Sequence, residues 1–82
     1  MKTVTYTPTA ARALRKHANR AAQIRAKIEQ YASDPASLAA NVKQLQGVHA
    51  LRLRVGDFRV ILQETASEVT VLDIGPRGGI YE

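Results

Sequence analysis

Leu51-Arg52-Leu53-Arg54-Val55-Gly56-Asp57-Phe58-Arg59-Val60-Ile61-Leu62 is the stretch that decides the fold of this chain. Leu51, Leu53 and Val55 alternate with Arg52 and Arg54, and Phe58, Val60 and Leu62 alternate with Arg59 and Ile61. A period of two places one set of side chains on each face of a strand. Gly56-Asp57 between the runs reads as a tight hairpin turn, with glycine supplying the positive φ of a type II′ turn. A two-residue loop sets the register: Val55 opposite Phe58, Arg54 opposite Arg59, Leu53 opposite Val60 and Arg52 opposite Ile61. The apolar residues then share one face and Arg52, Arg54 and Arg59 share the other. Like charges directly opposite one another destabilise a sheet. Such a break with local rules is expected at a functional site. The competing reading is a plain solvated face.

The chain around this hairpin has 82 residues, 45% hydrophobic, and no cysteine. That is enough for one globular domain spanning 1–82, without help from disulfides. Absence of cysteine excludes a thiolate metal site. No apolar run approaches the roughly 18 residues of a membrane span, and Met1-Lys2-Thr3-Val4-Thr5-Tyr6 lacks the apolar centre of a signal peptide. A cytoplasmic location without membrane contact is the expectation. Net charge is +5, and eight of the 12 cations are arginine. No acid precedes Glu29, whereas Lys2, Arg12, Arg15, Lys16, Arg20, Arg25 and Lys27 all do. A small basic domain points to a polyanionic partner, either nucleic acid or an acidic protein segment.

Upstream of the hairpin, Lys2 to Tyr6 reads as a strand. Thr7-Pro8 signals a helix start, with Thr7 as cap and Pro8 at the first turn. Ala11, Leu14 and Ala18 form the expected inward stripe. Asn19 is read as the cap of a second helix, on which Ile24, Ile28 and Tyr31 share a face. Ser33-Asp34-Pro35 ends it. Pro35 to Val48 reads as a connector with one helical turn, pinned by Leu38, Val42 and Leu45. Downstream, Thr65-Ala66-Ser67 is a turn and Glu68 to Ile74 a last strand. The order strand, helix, helix and three strands predicts an α+β fold, β-α-α-β-β-β. Two helices would cover one face of an antiparallel-rich four-stranded sheet. The other face, carrying Arg52, Arg54 and Arg59, would stay open.

A second cluster closes the chain: Pro76-Arg77-Gly78-Gly79-Ile80-Tyr81. Arginine makes two-pronged hydrogen bonds to phosphate, tyrosine can stack on a base or exchange a proton, and glycine permits close backbone approach. Walker loops, metal-ligand clusters and spaced Ser/His/Asp sets are absent from the sequence, so neither metal nor cofactor is expected. His17 reads as a helix-surface residue. His49 falls in phase with Leu51 on the core face, and Glu64 and Glu82 read as solvated charges.

Gln44-Leu45-Gln46-Gly47, the hairpin, and Gly75-Pro76-Arg77-Gly78-Gly79-Ile80-Tyr81 together resemble the RelE/ParE superfamily of bacterial type II toxins. The resemblance covers essentially the whole chain and implies a RelE-like fold and a toxin neutralised by a cognate antitoxin. Operator DNA would be met only through the antitoxin complex. In the RelE branch it implies a ribosome-dependent endoribonuclease that cleaves mRNA by attack of a ribose 2′-hydroxyl on the adjacent phosphate. In the ParE branch it implies inhibition of DNA gyrase. Arg52 and Arg54 match the two hairpin basic residues of the RelE active site, usually lysines. Arg59 matches its strand arginine, Arg77 its late arginine and Tyr81 its tyrosine. Pro76 stands where many relatives carry histidine, and Gly78 and Gly79 replace charged residues. Arginine cannot act as a general base, so Tyr81, the substrate phosphate and a ribosomal group are the candidate proton acceptors. A binding module without activity is the third reading. The acid-free N-terminal region predicts an acidic antitoxin segment.

Overall fold

The structure, a computed structural model, describes residues 1–47 and 49–76. Its elements are β1 (Thr3–Tyr6), α1 (Pro8–Lys16), α2 (Ala18–Ser33), a 3₁₀ segment (Pro35–Asn41), β2 (Val42–Gln44), β3 (Leu51–Val55), β4 (Phe58–Glu64) and β5 (Glu68–Pro76). The five strands form one sheet in the order β1-β5-β4-β3-β2. β1 runs parallel to β5, and every other neighbouring pair is antiparallel.

The hairpin adopts the register expected from its alternation. Val55 pairs with Phe58, Arg54 with Arg59, Leu53 with Val60 and Arg52 with Ile61. Gly56 has φ +58°, the left-handed conformation that side chains with a Cβ resist. Leu53, Val60, Leu62, Val69 and Val71 are completely buried under the helices. Ala10, Leu14, Ile24, Ile28 and Tyr31 meet them from the helical layer. Burial of each large aliphatic side chain contributes about 1.5–3 kcal/mol.

Thr7 caps α1 as expected, its Oγ1 accepting from the Ala10 amide at 3.1 Å. The same hydroxyl donates to the Leu72 carbonyl at 2.8 Å, so one side chain starts the helix and ties it to β5. The inward stripe of α1 is Ala10 and Leu14; Ala11 is half-buried and Ala18 exposed. Ala18 falls outside the stripe because α1 stops at Lys16 and the axis changes at His17. His17, not Asn19, precedes the first residue of α2, and makes no side-chain capping bond. α2 turns Ile24, Ile28, Tyr31 and Ala32 inward.

Three further expectations are corrected. The sheet has five strands rather than four, because Val42–Gln44 pairs with β3 along its free edge. Three residues are too short to show a period, so the neighbouring strand and not local pattern defines this one. The second face is also partly covered: Ala50 and Ile61 are buried there with Leu45 and Leu72 packed against them. The β4–β5 register shifts between Ile61, opposite Asp73, and Leu62, opposite Val71, leaving Leu72 as the extra residue of that cluster. Glu64 is half-buried rather than solvated: it pairs with Lys2 and accepts from the Tyr31 hydroxyl at 2.6 Å. These contacts, the Lys2 bond foremost, hold its carboxyl below the usual carboxylate range. Burial, then the bond to Glu64, pushes the Tyr31 phenol up to about 12.

Candidate functional site

The helix-free face near the hairpin turn is built by β2, β3 and β4. Arg54 and Arg59 stand directly opposite across the β3–β4 ladder. Their Cβ atoms are therefore held about 4.5–5.5 Å apart. Arg52, two residues along β3, faces Ile61 on one side and Lys43 of β2 on the other. Arg54 is exposed, whereas Arg52 and Arg59 are half-buried, and the Nε and Nη1 atoms of Arg59 are buried.

Two shallow depressions meet at Arg54. The first, about 180 Å³, is lined by Arg54, Gly56, Asp57, Phe58 and Arg59. The second, about 240 Å³, is lined by residues 40–43 with Arg52 and Arg54. Nearby carboxylates are Asp57 in the turn and Asp73 on β5, whose Oδ1 accepts from the Ile74 amide at 2.8 Å. The turn is supported from the helical side. His17 is half-buried at the α1–α2 junction, its ring edge-on to Phe58 with centroids 4.8 Å apart and planes at 73°. A Cβ on Gly56 would lie 3.7 Å from the Gln23 side-chain nitrogen, so α2 sits under the turn. The histidine expected merely on a helix surface is a strut of the hairpin tip.

Of the expected site residues, Arg52, Arg54 and Arg59 share this face. Arg77 and Tyr81 lie outside the described residues. Lys43 joins the face without having been singled out, because the strand that orients it carries no periodic signal of its own. His49 is exposed, its backbone carbonyl accepting from Gln63 at 3.1 Å; the break in pairing before Leu51 takes it out of strand phase. Among the described residues no group of three or more His, Cys, Asp or Glu is placed to hold a metal. No helix among them is long and apolar enough to cross a membrane.

Two helices over one face of a small mixed sheet is the fold that this chain shares with toxins of the RelE/ParE superfamily. The same fold occurs in YafQ from E. coli BL21(DE3), with TM-score 0.77 at 12% identity over 100% of both chains. It recurs in the toxin–antitoxin complex RelBE2 from Mycobacterium tuberculosis, with TM-score 0.68 and 25% identity over 93% of this chain and 98% of that one. The archaeal RelE–RelB complex from Pyrococcus horikoshii OT3 gives TM-score 0.65 and 24% identity over 95% and 97%. The chain belongs to the family described as ParE toxin of type II toxin-antitoxin system, parDE, whose model matches residues 4–81. No curated protein matches its sequence.

Proposed function

We propose that this type II toxin is a ribosome-dependent endoribonuclease that inhibits translation by cleaving mRNA. The observation that carries the reading is the in-register Arg54–Arg59 pair beside Arg52, on a face the helices leave uncovered. A phosphate accepting from two opposed guanidinium groups offsets the repulsion between like charges across a ladder. In the reaction the 2′-oxygen forms a bond to phosphorus while the bond to the 5′-oxygen breaks. The products are a 2′,3′-cyclic phosphate and a 5′-hydroxyl. Arg52, Arg54 and Arg59 stay protonated throughout; Arg54 and Arg59 stabilise charge developing on the pentavalent phosphorus, and Arg52 holds the backbone. Arg77 is assigned to the same task, and Tyr81 to stacking or proton transfer. The proton of the 2′-hydroxyl leaves to a group other than these arginines, and the departing 5′-oxygen takes up a proton from Tyr81 or from solvent.

The cognate antitoxin is the protein partner, supported by the RelB-bound toxins that share the fold. Its binding segment is acidic, to suit a chain with seven cations and no acid before Glu29. Arg59→Ala and Arg77→Ala should each abolish growth inhibition while leaving antitoxin binding intact. Unchanged toxicity in both would remove the site assignment. The family description names ParE, and the second reading is the one that the resemblance implies for that branch, inhibition of DNA gyrase. Pulse labelling after induction separates the two: protein synthesis collapses in the first, whereas DNA damage and filamentation mark the second.

A further inference from the structure

Lys43 is the one lysine placed beside the arginine face among the described residues, and the proposed chemistry gives it no task. It lies in β2, directly opposite Arg52, and lines the same depression as Arg52 and Arg54. Neither Lys43, Arg52 nor Arg54 is ion-paired with a described residue. The cations of this face therefore form two levels: Lys43 with Arg52, and Arg54 with Arg59. Arg52 and Arg54 are two residues apart on one strand, so the levels are separated by about 7 Å. That interval is comparable to the spacing of successive phosphates along an extended single strand. The levels are also offset sideways by one strand, and the two depressions follow the same diagonal, meeting at Arg54.

Resting on the ribonuclease reading, we propose that Lys43 and Arg52 form a second phosphate subsite, adjacent to the Arg54–Arg59 pair. A single-stranded RNA thus crosses the sheet diagonally from the hairpin turn to β2. Two cations per level suit a phosphate, which offers two non-bridging oxygens. Lys43 holds the neighbouring phosphate and sets which bond lies over the Arg54–Arg59 pair; it is a binding and positioning residue and not a catalytic one.

The test is fluorescence anisotropy of the purified toxin with a short unstructured RNA oligonucleotide over a series of KCl concentrations. Lys43→Ala should lower affinity and reduce the slope of log K against log[KCl] by about 0.7–1, the loss of one phosphate contact. Arg54→Ala should do the same, Lys43→Arg should restore binding, and Lys27→Ala on α2 should leave the slope unchanged. If Arg54→Ala weakens binding and Lys43→Ala does not, the second subsite is overturned while the ribonuclease reading stands. Equal losses in Lys43→Ala and Lys27→Ala would also overturn it, since net charge alone would then explain binding. Displacement of the RNA by polyglutamate at equal charge concentration would overturn it in favour of an acidic peptide. Wild-type binding without salt dependence would remove both the track and the phosphate site beneath it.

Discussion

Arg54→Gln should make the folded toxin more stable and less toxic at the same time. Arg54 faces Arg59 in register and is exposed, so its charge interacts with its neighbour largely through water. Guanidinium groups splayed to about 6 Å repel by about 0.7 kcal/mol at the dielectric constant of water. That value falls within the roughly 0.2–1 kcal/mol spanned by cross-strand pairs. Glutamine keeps a polar stem on the strand and removes the charge. For a domain of this size about 0.7 kcal/mol corresponds to a rise in Tm of about 3–5 °C. The Debye length shrinks from about 30 Å at 0.01 M salt to about 3 Å at 1 M. The gain should therefore appear in dilute buffer and largely vanish in 1 M NaCl. Urea denaturation of wild type and variant at both salts reads this directly, and adding phosphate should stabilise the wild type more than the variant. A variant equally stable or less stable than wild type in dilute buffer would refute the idea that Arg54 and Arg59 are held together against their mutual repulsion.

Other perturbations address the scaffold. Tyr31→Phe should cost about 1.5–3 kcal/mol in urea denaturation, because it removes a hydrogen bond to the charged Glu64 carboxylate. Since folding depresses the Glu64 carboxyl, its stabilisation is present above the ordinary glutamate pKa and is lost as pH falls through its lower folded value. Glu64→Gln should accordingly flatten the acid limb of the stability curve; an unchanged limb would assign acid unfolding elsewhere. Tyr31 has the opposite sign: its stabilisation is complete below the ordinary tyrosine pKa and fades as pH rises through about 12. Gly56→Val should destabilise by at least about 1–2 kcal/mol, set by φ +58° rather than by crowding. Thr7→Ala should cost about 1–2 kcal/mol, since the hydroxyl both caps α1 and binds the Leu72 carbonyl.

The hairpin was legible to the residue because its period and its turn agree: alternation defines the faces, and Gly56-Asp57 aligns the strands. The helical core positions on α2 were legible for the same reason, a strong period in Ile24, Ile28 and Tyr31. What stayed hidden depends on contacts distant in sequence. Val42–Gln44 is a strand because β3 has an unpaired edge, and that pairing turns Lys43 onto the arginine face. Glu64 looks solvated until Lys2, 62 positions away, and Tyr31 on α2 arrive beside it. Leu72 reaches the second face through a register shift that alternation does not foresee. His17 becomes a support for Phe58 only once the helices fold over the turn. Local pattern therefore located the arginines, and tertiary pairing added the lysine.

Primer extension on a message, with and without translating ribosomes, tests the central proposal most directly. Wild-type toxin should yield new 5′ ends inside codons only when ribosomes are present, and Arg59→Ala should yield none. An intact message under translation, with wild-type toxin still arresting growth, would contradict the ribonuclease assignment and return the chain to the gyrase reading.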